Sequence, residues 1–276
     1  MHSTTEFEQE KREYQSLLAS GIFDRAPNLA QVLTYVCEKY FEGAAEQIKE
    51  YNIAVEALGR PAGFDQKRDS IVRVEPEEAE LAKLFTNSYR YIKFAAANQL
   101  FMMANDFGLD YERIRAAVVE DYPRAADLPG PGFAAGPCLL KDTMQLAAFN
   151  NNNFPLGQAS VQINEGLPLY LTARMAARYD LSSMTVGILG MAFKGESDDN
   201  RSSLSYKLKR ILGVRAAGVL TADPYVTNDG DLWPLEDVLA RSDLIVIGAP
   251  HKMYADMDIP QPVVDIWNLR GGGVCI

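Results

Sequence analysis

The sequence predicts a mixed α/β protein, in which a helical first part is followed by a parallel α/β domain. Two observations carry that prediction. Apolar residues recur at helical spacing down to about residue 178. From about residue 184 the period changes to short Val- and Ile-rich runs, TVGILG, GVLTA, DLIVIGA and VVDI. Gly, Pro and Asp bound these runs, and helical stretches separate them, the pattern of strands joined by crossover helices.

Residues 1–75 read as a helical module. Leu29, Val32, Leu33, Val36 and Tyr40 form one helical stripe, and Ile48, Ile53, Ala54 and Leu58 continue it before GRPAGFD breaks the pattern. Pro76 then opens a long helix through Leu81, Leu84, Phe85, Ile92, Leu100 and Met103, closed near Gly108. A second helix over about 110–121 ends before Pro123. A Gly/Pro-rich loop, Leu128 to Pro137, precedes further helix, which the run Asn150 to Asn153 interrupts. In the last part, helices are expected near 203–213 and 234–241. The expected domains are therefore 1–75, 76–178 and 179–276.

Composition bounds the function. The 276 residues are 47% hydrophobic and 23% charged, and carry a net charge of −10. That charge argues against the phosphate attraction used by nucleic-acid binders. No apolar run approaches the roughly 20 residues that span a bilayer. The polar N-terminus MHSTTEFEQEKREYQ lacks a signal-peptide core. Three cysteines, Cys37, Cys138 and Cys275, make no disulfide framework, so a reduced, cytoplasmic setting is expected.

Two segments carry chemistry. In GPGFAAGPCLLKD, residues 130–142, a Gly-rich loop delivers Cys138 to the start of a helix, where unpaired N–H groups favour a thiolate. Asp142, four residues on, would share its helix face and could position water for acyl chemistry. The plain alternative is that Cys138 is a small buried hydrophobe. In EAELAKLFTNSY, residues 78–89, Lys83 and Asn87 lie four apart and point to one side. On their own they would be read as a solvated face.

In order along the chain, these segments and GILGMAFKGESDDNRSS resemble the UDP-glucose/GDP-mannose dehydrogenase family, from about Glu78 to about Leu269. That family has K-x-x-x-N on a helix, then a GFGGxCxxKD-like loop, then G-x-A-F-K-x-x-T-D-D-x-R-x-S. The resemblance implies a Rossmann-like last domain that binds UDP-sugar. It implies that Cys138 captures a C6 aldehyde as a thiohemiacetal, later a thioester. Lys83 and Asn87 would stabilise the oxyanion, and Asp142 would serve the water and proton steps. Arg124, Phe133, Phe193 and Lys194 fall where the family contacts the sugar nucleotide, with Asp198, Asp199 and Arg201 shaping the loop. Trp267 or Asn268 stands where an arginine often meets the nucleotide. The wording GFAAGPCLLKDTMQLAAF and INEGLPLY is most similar to dehydrogenases of UDP-N-acetylhexosamines.

NAD is the cofactor the resemblance implies, yet the sequence reveals no site for it. GILGMAFKG is not a G-x-G-x-x-G fingerprint, and nothing before residue 76 reads as a dinucleotide-binding domain. Residues 23–75 instead resemble a winged-helix-like module of bacterial regulatory proteins, although acidic side chains outnumber basic ones there. The abrupt junction near 74–76 suggests a fusion or a recombined reading frame. The expectation is a dehydrogenase-like protein inactive by itself, or a UDP-sugar-binding regulatory protein. A homodimer through the helix from Pro76 is also expected.

Overall fold

A computed structural model describes residues 7–21, 23, 27–45, 48, 74–273 and 275–276. The predicted stripe residues Ile53, Ala54 and Leu58 and the GRPAGFD break lie outside the described residues. The chain divides into two units, Met1–Val74 and Glu75–Ile276. In the first, α1 (Glu8–Ala19) and α2 (Pro27–Phe41) are described. Acidic Glu8 and Glu10 sit in the first turn of α1, where the helix dipole favours them. Aromatic rings join the two helices, with Phe7 and Tyr40 centroids 5.2 Å apart and Tyr14 and Phe41 6.1 Å apart.

The second unit begins with α3 (Pro76–Asp106). Pro76 occupies its first turn, where the missing N–H costs nothing. Glu75 and Glu78 form a reciprocal capping box, in which the Glu75 N–H donates to Glu78 Oε2 at 2.9 Å. Next comes α4 (Tyr111–Val119), capped by Asp110, which accepts the Arg113 N–H at 3.2 Å. Cys138 is the N-cap of α5 (Leu139–Phe149). Asn151 and Asn152 take left-handed backbone, at φ 52° and 59°, to turn the chain into α6 (Pro155–Arg178). Asparagine tolerates that region better than most residues. Helices α3, α5 and α6 pack against one another.

Four parallel strands follow, β1 (Thr185–Leu189), β2 (Gly218–Ala222), β3 (Leu244–Ile247) and β4 (Val263–Val264), in the order β2-β1-β3-β4. Helix α7 (Leu204–Leu212) connects β1 to β2, and α8 (Leu235–Arg241) connects β2 to β3. Strand β3 explains why its run LIVI has no polar alternation. Leu244 and Val246 face a core built with Leu167, Leu171 and Met175 of α6 and with Leu208 of α7, whereas Ile245 and Ile247 face Val238 of α8 and Tyr254. A parallel strand covered on both faces buries every residue. The sheet order reverses beside β1, so the loops leaving the C-terminal ends of β1 and β3 stand at the switch point, the usual ligand position in open α/β sheets.

Candidate functional site

The cysteine loop is fixed by a buried amide. Asn98 of α3, fully buried, accepts the Gly132 N–H at 2.9 Å and donates to the Gly132 carbonyl at 3.0 Å. Its other N–H goes to Asn164 Oδ1 at 2.9 Å, and Asn164 donates onward to the Tyr91 carbonyl at 3.0 Å. Three elements, α3, the loop and α6, are thus tied by fully satisfied buried polar groups. The sequence reading missed this pair. Its signal was available, because Asn87, Asn98 and Asn105 are 11 and 7 residues apart, spacings that return to one helix face.

At the end of that loop Cys138 is exposed, which removes the buried-hydrophobe alternative. Its carbonyl accepts the Asp142 N–H at 2.8 Å, so Asp142 lies one turn into α5. The Asp142 carboxylate is turned to α3, where Asn87 donates to Oδ2 at 2.5 Å and the Lys83 ammonium stands 3.5 Å away. Lys141 Nζ pairs with Oδ1 at 2.7 Å. Burial raises the Asp142 pKa, but hydrogen bonds from Lys141 and Asn87 and the charges of Lys141 and Lys83 outweigh it and hold the carboxyl below its ordinary range. Lys83 and Asn87 both reach Asp142, the first from a side chain that is 62% exposed and the second from a buried one, 5% exposed.

The α/β part meets this loop through two rings. Phe193 lies on Gly136 (φ 106°), so closely that a methyl group there would stand 2.9 Å from Phe193 Cδ2. Lys194, exposed, extends over the Phe193 ring at 5.5 Å. Trp267 covers Gly132 and meets the buried Phe133 edge-on at 6.1 Å, while its indole N–H donates to the Ile247 carbonyl at 3.1 Å. Trp267 thus packs against the cysteine loop, in the stretch where the resemblance places a nucleotide-contacting arginine. The nearby Arg270 donates inward to the Tyr254 and Met257 carbonyls at 2.6 and 2.9 Å. Arg124 lies exposed in the turn region after α4, and the donors on Asp142 are Asn87, Lys83 and Lys141. Arg201 chelates Asp199, with Nε–Oδ1 at 3.0 Å and a terminal nitrogen on Oδ2 at 2.7 Å, and Asp198 is exposed beside them.

The loop that carries Phe193 and Lys194 runs from β1 to α7 and is anchored by Asp223, just past β2. One Asp223 oxygen accepts the N–H groups of Met191 and Ala192 at 2.6 and 3.0 Å, the other those of Tyr225 and Val226 at 2.8 and 3.0 Å. His251 adds a bond at 3.1 Å. Burial raises the Asp223 pKa, yet these donors prevail and hold it far below the ordinary carboxylate range. In a dinucleotide fold, the acid after β2 is free for a ribose, and the turn after β1 is a tight glycine loop. Here the acid is consumed and the connection is long, so this sheet does not fit NAD.

Comparison with known proteins places these features. Residues 77–166 match the central domain of the UDP-glucose/GDP-mannose dehydrogenase family, and residues 187–270 match its UDP binding domain. The chain is 33% identical over 187 residues to the UDP-N-acetyl-D-mannosamine dehydrogenase of Pyrococcus horikoshii, covering 65% of this chain and 44% of that protein. It is 29% identical over 200 residues to the UDP-glucose 6-dehydrogenase AglM of Haloferax volcanii, covering 68% and 46%. Among solved structures, the UDP-glucose dehydrogenase of Pyrobaculum islandicum superposes with a TM-score of 0.65 at 27% identity, over 71% of this chain and 49% of that one. The chain spans less than half the length of the relatives it matches. Two consecutive domains in the family's order, on its fold, leave one assignment: the chain belongs to the UDP-glucose/GDP-mannose dehydrogenase family.

Proposed function

We propose that this chain carries the substrate half of a nucleotide-sugar dehydrogenase site. In this reading the Phe193–Lys194 loop, Phe133 and Arg124 hold a UDP-sugar and present the sugar C6 to Cys138. The observation that carries it is the contact of Phe193 with Gly136, which joins the loop of the UDP binding domain to the loop that ends in an exposed thiol. The relatives named for UDP-N-acetyl-D-mannosamine and for UDP-glucose support a UDP-sugar and leave the sugar to be measured.

The side chains serve two steps. In aldehyde capture, the Cys138 thiolate forms the S–C bond and the carbonyl electron pair moves to oxygen. Asn87 and Lys83 each give Asp142 one hydrogen bond and keep donors to spare for that oxyanion, a donation worth most where water is excluded. In thioester hydrolysis, ionised Asp142 accepts a hydrogen bond from water and aims it at the carbonyl. Hydride leaves C6 twice, from the alcohol before capture and from the adduct before hydrolysis, and the family's NAD would accept both. The turn after β1 does not fit that cofactor, and the proposal stops at capture and hydrolysis. The same misfit favours a second reading, a UDP-sugar-binding protein that does not turn over alone.

A homodimer is part of the proposal. Phe85, Tyr89, Leu100 and Met103 stand 45 to 57% exposed along α3. A stripe of large apolar side chains on one long helix calls for a partner, and a second copy of the same stripe supplies it.

Calorimetric titration with UDP-glucose, UDP-N-acetylglucosamine and NAD, with Cys138 alkylation rates in parallel, tests this reading. A UDP-sugar is expected to bind and to slow alkylation, with no heat from NAD. Absence of UDP-sugar binding would sink the proposal, and NAD binding would overturn the reading of the β1 turn.

A further inference from the structure

Beneath the Phe193–Lys194 loop lies a buried imidazole that the proposed chemistry does not use. His251 is fully buried. Its Nδ1 accepts the Glu196 N–H at 3.0 Å and its Nε2 lies 3.1 Å from Asp223 Oδ2. A backbone N–H can only donate, so Nδ1 is unprotonated and the ring proton sits on Nε2, donated to Asp223. That same carboxylate oxygen accepts the Met191 and Ala192 N–H groups. One carboxylate–imidazole pair therefore grips both ends of the segment 191–196 on which Phe193 and Lys194 ride.

Glu196 is the vulnerable point, because it holds left-handed backbone at φ 53°. A non-glycine residue there is strained and needs its surroundings to keep it. Its carboxylate accepts the Lys252 N–H at 2.8 Å and the Tyr225 hydroxyl at 3.0 Å. The ionisable groups facing the imidazole are Asp223, Glu196, Tyr225 at 4.9 Å between rings and Tyr254 at 5.5 Å.

We infer that His251 is a positioning residue: acting through Asp223 and Glu196, it sets the Phe193–Lys194 loop in its ligand-ready form. The inference rests on the proposed UDP-sugar site for its consequence, but not for its geometry.

The test uses the full chain and two variants. His251→Gln offers one acceptor and one donor in place of the imidazole, and His251→Ala offers neither. Two quantities are read: amide-exchange protection factors of residues 191–196 without ligand, and affinity for UDP-glucose. His251→Ala is expected to lower the protection of 191–196 about tenfold or more, with β1 and β3 still protected, and His251→Gln to restore it. Affinity should follow protection. Unchanged protection in His251→Ala, or no rescue by His251→Gln, overturns the inference. Should exchange behave as expected while no form binds UDP-glucose, the proposed function falls and the clamp stands. Unchanged exchange with intact binding has the reverse meaning.

Discussion

Asn98 donates both of its N–H groups and accepts a third hydrogen bond, all inside the protein. Removing such a side chain leaves its partners buried and unpaired, which costs more than the bonds themselves contribute. Asn98→Ala strands the Gly132 N–H and Asn164 Oδ1. The expected loss is roughly 3 kcal/mol, read as a lower urea midpoint at unchanged slope. Gly132→Ala tests the same loop sterically, since the added methyl would meet the Trp267 ring in backbone at φ 149°. Loss of stability together with altered Cys138 alkylation is expected, and a silent substitution would show that Trp267 moves freely. At Asp142, Asp142→Asn keeps the shape but removes the charge that draws Lys83 and Lys141 inward. Thioester hydrolysis, followed with a model thioester on Cys138, is expected to slow by about a hundredfold or more. Cys138 and Asp142 were legible in the sequence because a loop, a helix start and a four-residue spacing are local facts. The direction in which Asp142 turns was not, because Asn87 lies 55 positions away in the chain.

At the scale of elements, α3 has two faces with different fates. Asn87, Tyr91, Asn98 and Asn105 are buried against the rest of the chain, and Phe85, Tyr89, Leu100 and Met103 remain exposed. Hydropathy spacing marked the helix and its opening proline, but not the side that the chain itself covers. The asparagines did that work. If the exposed face is the homodimer surface, Phe85→Glu with Met103→Glu will shift sedimentation from dimer to monomer without unfolding α3. A wild-type chain that sediments as a monomer refutes this use of the helix. Helices α7 and α8 begin and end within one residue of their expected bounds, since Ser203 caps one and Pro234 precedes the other. Strand β4 is two residues, shorter than VVDI suggests, because Asp265 turns its carboxylate to the N–H groups of Trp267 and Arg270 at 3.1 and 2.9 Å.

For the whole second unit, acid is the informative variable. Asp142 and Asp223 both have pKa values lowered by folding. Their stabilisation is therefore complete above the ordinary carboxylate pKa and is lost as pH falls towards the folded values. The melting temperature should hold between about pH 7 and about pH 5 and drop below about pH 4. Asp223→Asn should flatten that acid limb, and an unchanged limb would assign the loss to other carboxylates. The sequence by itself determined the order of elements, the change from helical to strand period, the motif residues and the family they resemble, because each depends on spacing within a few turns or strands. It also marked the turn after β1 as unlike a dinucleotide loop. Only the tertiary structure decided that Lys83 and Asn87 converge on Asp142, that Phe193 and Trp267 close on the cysteine loop, and that Asp223 and His251 hold the β1 loop from below. Those contacts join residues tens of positions apart, and their energy exists only once helices and sheet are packed, so no local pattern can register them.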